Sequence, residues 1–272
     1  MTHNIPAHLL QRDAIRIAVV GCGGNGSVIV TGLPYLHQAL LAAGHRGGLE
    51  VTLIDGDIIS STNCIRQPFS RSEVGLHKSI VLVSRINLFW GLHWRAIAHH
   101  VAPGQNVEHA DIVIGCVDTR AARAAIQELV TANATVTYWL DLGNGATGGQ
   151  FVLGQPSNRR NPRRATRLRT VAELFPEIAD PQLPEDDAPS CSALAALERQ
   201  EPFINGVLAH HALAMLAQLF RHGRLNHHGA FVNVAANRAQ PIPIDPSVWR
   251  RFRRLRQARG SAATSPVARI IA

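Results

Sequence analysis

The feature that most constrains the fold is an apolar run that ends in a glycine-rich turn. Residues 17–26 read IAVVGCGGNG, in which Gly21, Gly23 and Gly26 have GxGxxG spacing and Gly24 adds a further glycine. This pattern is typical of a buried strand, a tight turn that admits a phosphate, and a helix packed closely on the strand. Free N–H groups at the start of that helix attract an anion. The run predicts a Rossmann-like, doubly wound, mainly parallel α/β sheet that binds a nucleotide.

A second stretch indicates which kind of nucleotide. Residues 51–54 form another apolar run, and Asp55 follows at the strand end that would hold a ribose hydroxyl. The polar residues that come next are Asp57, Asn63, Arg66, Gln67 and Lys78. A carboxylate, an amide, a guanidinium and an ammonium beside a phosphate loop suit a triphosphate with its metal better than a hydride carrier. An NAD(P)-dependent dehydrogenase therefore ranks last among the interpretations.

Lys78 is unusual in its own right. The chain has 27 Lys and Arg residues, and Lys78 is its one lysine. A compact, flexible ammonium is not interchangeable with a guanidinium where a moving phosphate has to be followed. The alternative is a lysine on a solvated surface without a function.

The three patterns GxGGxG, DxDxxxxxNxxRQ and VGxxK resemble the ThiF/MoeB superfamily of ubiquitin-activating-type adenylating enzymes. The resemblance covers roughly residues 15–220, and the DxDxxxxxNxxRQ run is its most specific part. Within the superfamily, the length and a PSC segment at residues 189–191 resemble the ThiF family member of the bacterial PRTRC cassette.

This resemblance implies a set of roles. Asp55 would bind the ribose of ATP, and Asn63, Arg66 and Lys78 would face the phosphates. Asp118, which follows the apolar run at residues 110–117, would hold Mg²⁺ at the carboxyl edge of the sheet. A helix N-cap is the other interpretation of Asp118. Asp141, in the next strand, is a candidate second carboxylate near the site, but a structural role is expected.

The resemblance also implies an activity. ATP and the C-terminal carboxylate of a ubiquitin-like or sulfur-carrier protein would give an acyl-adenylate and pyrophosphate. The partner would be a small ubiquitin-like protein with a free C-terminal glycine, and the enzyme would be a homodimer. Two alternatives stay open: a ThiF-like enzyme that adenylates a modified tRNA base, and a nucleotide-binding scaffold.

The four cysteines are spread out without a CxxC pair, so no structural zinc is expected, unlike in many relatives. Cys191 follows Ser190 at a predicted helix start, where a thiol is activated. It would accept the activated carboxylate as a thioester, or remain unused, as in the MoeB-like enzymes. The scattered cysteines and the lack of an apolar signal core in residues 1–12 favour a cytoplasmic location.

Composition and the resemblance together predict the organisation. The resemblance implies that residues 1–154 are the nucleotide-binding adenylation core. Composition marks residues 155–190 as a long Arg- and Pro-rich loop, which corresponds by resemblance to the family's crossover loop and is either functional or a solvated insertion. Residues 191–249 complete the same domain, and residues 250–272 form a basic, partly disordered tail. The net charge of +8 suits an acidic protein partner or a nucleic acid, the latter not favoured, and no run is long enough to cross a membrane.

Overall fold

The computed structural model describes residues 1–102, 104, 109–162, 164–184 and 201–257, without the side chains of residues 253–257. The strands are β1 (His3–Asn4), β2 (Ile15–Val20), β3 (Leu49–Ile54), β4 (Arg95–Ile97), β5 (Ile112–Gly115), β6 (Tyr138–Asn144), β7 (Gly148–Gly154), β8 (Arg224–Leu225), β9 (His227–Asn233) and β10 (Arg238–Pro243). The α-helices are α1 (Ala7–Leu10), α2 (Gly24–Ala42), α3 (Asn63–Arg66), α4 (Lys78–Trp90), α5 (Arg120–Ala132), α6 (Val171–Leu174), α7 (Ile204–His222) and α8 (Pro246–Gln257). Short 3₁₀ helices span Arg71–Glu73 and Pro176–Ala179.

Eight strands form one sheet in the order β10-β9-β7-β6-β5-β2-β3-β4. The five strands from β6 to β4 run parallel, whereas β7, β9 and β10 extend the sheet in antiparallel pairs. Their order reverses around β2, because β3 lies on one side of it and β5 on the other. Ligands of such sheets bind at the carboxyl ends of the strands beside this reversal. The predicted Rossmann-like fold is confirmed.

The central strands are apolar along their whole length because helices cover both faces of a parallel sheet. Ile15, Val19, Val51 and Ile112 are fully buried. Helix α2 packs along α7, and the apolar spacing of α4 places Leu82 and Ile86 in the same core. The packing of α2 on α7 and the burial of α4 fix the positions of the strand ends and of the first turn of α4.

Some local features differ from the sequence-based expectations or extend them. Pro34 lies inside the continuous helix α2, where it removes one helical hydrogen bond without ending the helix. Helix α8 continues through Gln257, so the start of the predicted tail at residue 250 is helical. The small β1–β8 sheet and strand β10 were not predicted, because their residues show no alternation of apolar and polar side chains.

The described part of the predicted crossover loop is firmly attached to the domain. The side-chain amide of Asn158 donates to the carbonyl oxygens of Val130, Asn133 and Val136 at 2.9–3.0 Å. Further along, Glu173 completes a capping box with Thr170 and accepts from Arg167 at 2.5 and 3.0 Å. Residues 155–162 and 164–184 are therefore fixed by buried polar contacts in addition to their short helices.

Candidate functional site

A cleft of about 1130 Å³ opens at the carboxyl ends of the parallel strands. The predicted site residues on its wall are Gly21, Gly23, Gly24, Asp55, Asp57, Asn63, Arg66, Gln67, Lys78 and Asp118. Gly26 lies behind the turn, and Cys191 lies outside the described residues. The fold thus brings together side chains from β3, α3, α4 and the β5–α5 turn.

The glycine-rich turn has the geometry that its spacing predicts. Gly21 has φ +94°, and a Cβ there would lie 2.7 Å from the carbonyl oxygen of Cys116. A Cβ on Gly26 would overlap the carbonyl oxygen of Gly21. A Cβ on Gly23, by contrast, would meet no atom within 4 Å, because this residue faces the cleft and caps the N-terminus of α2. The turn is closed on the protein side and open on the ligand side.

Asp55 is a buried carboxylate directed back at the glycine turn. Its Oδ2 accepts the N–H of Cys22, and its Oδ1 accepts the N–H of Asp57 at 2.7 Å. Ser79 supports the same position from α4 by donating to the carbonyl oxygen of Asp55 at 3.1 Å. Backbone donors therefore orient a carboxylate whose neighbours β2 and β3 form the reversal point of the sheet.

Lys78 occupies the first position of α4 and is 5% exposed. Its Nζ lies 2.7 Å from Oδ2 of Asp57, and its backbone N–H donates to the carbonyl oxygen of Asp57 at 3.1 Å. A buried ammonium requires such a partner, because an unpaired charge in the interior is costly. Two of the predicted site residues, Lys78 and Asp57, thus form an ion pair, and half of the Asp57 side chain is exposed.

The remaining residues of the polar motif stand on and beside α3. Asn63 begins this helix, and its Oδ1 accepts the N–H of Ser60 at 2.9 Å. Arg66 ends the helix, and Gln67 follows with a buried Oε1 that has no hydrogen-bond partner in the described structure. A polar atom in this state is typical of a site that a ligand completes.

Asp118 is exposed at the end of β5 and lines the cleft. The N-cap of α5 is Thr119, whose side chain accepts the N–H of Ala122 at 3.2 Å. The capping role considered for Asp118 is therefore wrong, and its carboxylate stays available to the cleft. No three His, Cys, Asp or Glu side chains in the described ranges converge on a common metal position. A single carboxylate fits Mg²⁺ only where substrate phosphates and water complete the shell, which is the usual arrangement for this ion.

Arg123 was missed by the sequence reasoning. It is 6% exposed and donates to three acceptors: Oδ1 of Asp141 at 2.9 Å, the carbonyl oxygen of Val117 at 2.7 Å and that of Ile178 at 3.2 Å. Burial raises the pKa of Asp141, and the Arg123 guanidinium opposes this rise. Asp141 is structural, as expected, and Arg123 joins it to the Asp118 turn and the 3₁₀ helix.

A wall of side-chain amides faces the polar motif across the cleft. Asn25 donates to Oδ1 of Asn144 at 2.8 Å, while its own Oδ1 is buried without a partner. Gln150 and Asn205 are also buried and line the cleft. Together with the open glycine turn, these donors and acceptors fit a nucleotide and its polar substituents.

Two cysteines beside the glycine turn, Cys22 and Cys116, are not activated. Burial raises the pKa of Cys22 and of Cys116, and both thiols are packed among apolar neighbours. Arg12 and Arg16 pair with Asp111 at the opposite, amino-terminal edge of the sheet, at 2.9 and 3.6 Å. Neither arginine reaches the cleft of its own chain.

A doubly wound sheet, an open glycine turn at its reversal point and a polyphosphate-type set of side chains define a nucleotide-binding α/β protein. The profile of the ThiF family matches residues 7–250, and the chain belongs to this family. Members of the family are adenylyltransferases. No curated protein sequence matches the chain.

The solved structures of MccB and PaaA support the fold. The crystal structure of E. coli MccB with ATP is 19% identical, has a TM-score of 0.56, and covers 87% of this chain and 66% of the MccB chain. PaaA is 14% identical with a TM-score of 0.52, over 85% of this chain and 64% of its own. TcdA (CsdL) is 28% identical over 44% of this chain and 46% of its own, with a TM-score of 0.36. The chain thus spans less than two thirds of each of these structures.

Proposed function

We propose that this protein adenylates a carboxylate with ATP, and that the carboxylate is the C-terminus of a ubiquitin-like or sulfur-carrier-type protein. The observation that carries the proposal is the placement of Asp55, Arg66, Lys78 and Asp118 on one cleft beside an open glycine turn. A nicotinamide dinucleotide would leave the cationic side of this cleft without a function. Membership of the ThiF family supports the same reaction class.

Each side chain has a part in the proposed reaction. Asp55 is held by two backbone N–H groups and accepts a ribose hydroxyl. The N-terminus of α2 and the N–H groups after Gly23 bind phosphate oxygens. Arg66 and Lys78 stabilise the charge that moves onto the leaving pyrophosphate as the carboxylate attacks the α-phosphorus. Positioning and charge neutralisation, rather than proton transfer, lower the barrier.

Asp118 is the residue proposed to hold Mg²⁺. Its position in the β5–α5 turn allows one carboxylate to reach the cleft while Thr119 caps the helix. When bound, the ion neutralises phosphate charge and orients the polyphosphate. If this role is right, Asp118→Ala loses exchange activity and keeps its fold.

The finer parts of the proposal concern the acceptor. A small protein with a free C-terminal glycine fits the cleft, because the wall at residues 143–149 is glycine-rich and allows close approach of a backbone. Thioester transfer to Cys191 is proposed as a second step, tested by a thiol-sensitive conjugate that Cys191→Ser removes. The PRTRC cassette is the proposed genetic setting, on the strength of chain length and the PSC segment alone.

A homodimer is proposed from the surface beside the cleft. Ile58, Leu76 and Ile80 are 56%, 52% and 47% exposed, and Ile58 pairs with His77, the residue after Leu76. Exposed large apolar side chains near one another in the fold suggest a surface that a partner covers. Light scattering on wild type and on Leu76→Asp tests whether a second copy is that partner.

Adenylation of a tRNA base is the second candidate function, and the exposed Arg159, Arg160 and Arg164 favour it. The neighbouring Asn158 attaches this arginine segment to Val136, before the start of β6 and away from the cleft edge. A nucleic acid held there would have to extend around the domain to present a base to the cleft. A protein carboxylate needs no such extension and is therefore preferred.

The deciding experiment is the exchange of radiolabelled pyrophosphate into ATP. The proposal expects exchange that depends on Mg²⁺ and on a ubiquitin-like protein with an intact C-terminus, and none with that protein lacking its last residue. Exchange stimulated by tRNA instead would select the second candidate. Tight NAD binding without a response to ATP would reject both.

A further inference from the structure

We propose that His100 is a positioning residue, which takes over the Asp57 carboxylate when Lys78 turns from it to the nucleotide. The inference rests on the proposed function, because it describes how the same cleft admits ATP. His100 follows β4 and lines the cleft, and it was not among the predicted site residues.

The starting point is the resting partner of Lys78. Its side chain is 6% exposed, and Nζ lies 2.7 Å from Oδ2 of Asp57. A phosphate group that binds this ammonium must compete with the carboxylate already in contact with it. Lys78 can serve the nucleotide only after its ion pair with Asp57 is loosened.

Loosening the pair leaves a second negative charge next to the polyphosphate. The Asp57 side chain is 51% exposed on the cleft wall, so its repulsion acts directly on the incoming nucleotide. Its other oxygen, Oδ1, lies 3.6 Å from Nε2 of His100. The Lys78 ammonium on α4 and the His100 imidazole after β4 thus face the two oxygens of one carboxylate. A protonated imidazole neutralises Asp57 once the ammonium has left.

Three titratable groups among the described residues have recorded contacts around His100. Asp57 contacts its ring, Lys78 pairs with the same carboxylate, and His99 lies on its own segment. Asp55 is directed away, because both of its oxygens accept backbone N–H groups. His99 is exposed, contacts the carbonyl oxygen of His100 at 3.1 Å and does not line the cleft, which makes it a matched control.

The direction of the pH effect follows from the charge. Histidine side chains change charge between about pH 5 and 8, and only the cationic form can neutralise Asp57. Nucleotide affinity should therefore be higher at the acidic end of this range. The His100–Asp57 contact is solvent-exposed, so the expected effect on the dissociation constant is about two- to fivefold.

The experiment measures the dissociation constant of ATP–Mg²⁺ by calorimetry at pH 6 and pH 8. The proteins are wild type, His100→Gln, Asp57→Asn, the double variant and His99→Gln. We expect His100→Gln to weaken binding about two- to fivefold at pH 6 and not at pH 8, and to have no effect when Asp57→Asn is already present. Titration of ATP itself is common to all five proteins and cancels in the comparison.

Three outcomes would overturn the inference. An equal effect of His100→Gln with and without Asp57 would mean that His100 contacts the nucleotide directly. No effect of His100→Gln at pH 6 would mean that Asp57 needs no second cation. A wild-type pH profile indistinguishable from that of His100→Gln would mean the same. This comparison does not require Asp57→Asn to fold. Wild type that binds no ATP at all would reject the proposed function as well, which separates the two failures.

Discussion

The ammonium group of Lys78 is buried in the wall of a cleft that a highly charged nucleotide would have to enter. A lysine fits this position because its compact head can move between a carboxylate and a phosphate on a flexible stem. A guanidinium carries the same charge but is planar and broad. It would have to fit into the enclosed space that now holds Lys78, which is only 5% exposed.

Lys78→Arg should therefore behave almost like Lys78→Ala in pyrophosphate exchange. We expect each to lose about 3 kcal/mol of transition-state stabilisation, the scale of removing one preorganised electrostatic donor. Arg85→Lys, a basic exchange on the same helix outside the cleft, is the control and should keep wild-type exchange. Exchange at the wild-type rate in Lys78→Arg would remove Lys78 from the active site.

Alanine substitutions at two glycines of the turn should distinguish an effect on ATP binding from an effect on folding. Gly23→Ala places a methyl group in open space at the mouth of the cleft, so the protein should fold normally and bind ATP about tenfold more weakly, by analogy with the loss of one good contact. Gly26→Ala instead forces a methyl group onto the carbonyl oxygen of Gly21 and should prevent soluble expression. Thermal unfolding and ATP titration measure both effects, and normal ATP binding by Gly23→Ala would place the phosphates elsewhere.

At the scale of elements, helix α5 connects the candidate site to the described part of the predicted crossover loop. Arg123 and Arg120 extend from this helix to the 3₁₀ helix and its surroundings: Arg123 to the carbonyl oxygen of Ile178, and Arg120 to those of Glu177 at 3.2 Å and of Pro184. Because Arg123 also holds the carbonyl oxygen of Val117, the residue before Asp118, the segment and the proposed metal carboxylate share one anchor.

The variant Arg123→Lys tests whether Arg123 anchors both this segment and the turn that carries Asp118. A lysine keeps the charge but cannot reach three acceptors, so the buried Asp141 and two carbonyl oxygens lose partners. We expect about 1–3 kcal/mol of destabilisation in urea unfolding, together with a higher Mg²⁺ requirement for exchange. Glu128→Gln, an exposed change on the same helix, should alter neither. A destabilised protein with an unchanged Mg²⁺ requirement would limit Arg123 to a structural role.

The sequence predicted the elements that apolar spacing defines and missed those held by polar contacts. Helix α4 spans Lys78–Trp90, and its apolar residues recur at the spacing that predicts a helix. Strand β10 was missed because it is mostly exposed and contains two prolines. Arg123 left a signal: it shares the inward face of α5 with Ile126 and Val130, and Asp141 in an apolar strand requires a counter-charge. The Lys78–Asp57 pair could not be predicted, because spacing does not say which charges meet.

For the molecule as a whole, a buried neutral histidine ties helix α8 to the sheet. His228 on β9 lies with Nδ1 2.9 Å from the carbonyl oxygen of Leu153, while Nε2 accepts from the indole of Trp249 on α8 at 3.0 Å. Only the neutral ring with its proton on Nδ1 satisfies both contacts. Burial lowers the pKa of His228 from 6.5 to about 4, and that of His3 to about 4 for the same reason.

Stability should therefore fall on acidification. Above pH 6.5 neither the folded nor the unfolded chain protonates His228, so its contribution is complete. As the pH drops from 6.5 to about 4, the unfolded chain binds a proton that the folded chain excludes. The expected loss is about 3 kcal/mol for this residue, in the same direction as for His3. Urea unfolding between these pH values should show a shallower slope for His228→Gln and no change for the exposed His93→Gln; equal slopes for wild type and His228→Gln would contradict the assignment.

In the described part of the chain, no helix is long and apolar enough to cross a membrane. The working parts are instead gathered at one edge of the sheet, while the pairs that Arg12 and Arg16 form with Asp111 lie at the other. A partner that reaches the cleft can therefore dock on the carboxyl edge without disturbing the charges that hold the opposite edge.

The seclusion of the chain's one lysine has a consequence for self-modification. Enzymes that activate ubiquitin-like proteins generate an electrophile that can form isopeptide bonds with any accessible lysine amine. The other 26 of the 27 Lys and Arg residues are arginines. The Lys78 amine is buried and forms an ion pair with Asp57. Under the proposed function, an activated carboxylate released from the cleft would meet no free lysine side chain in this sequence, so conjugation to lysine would fall on other proteins.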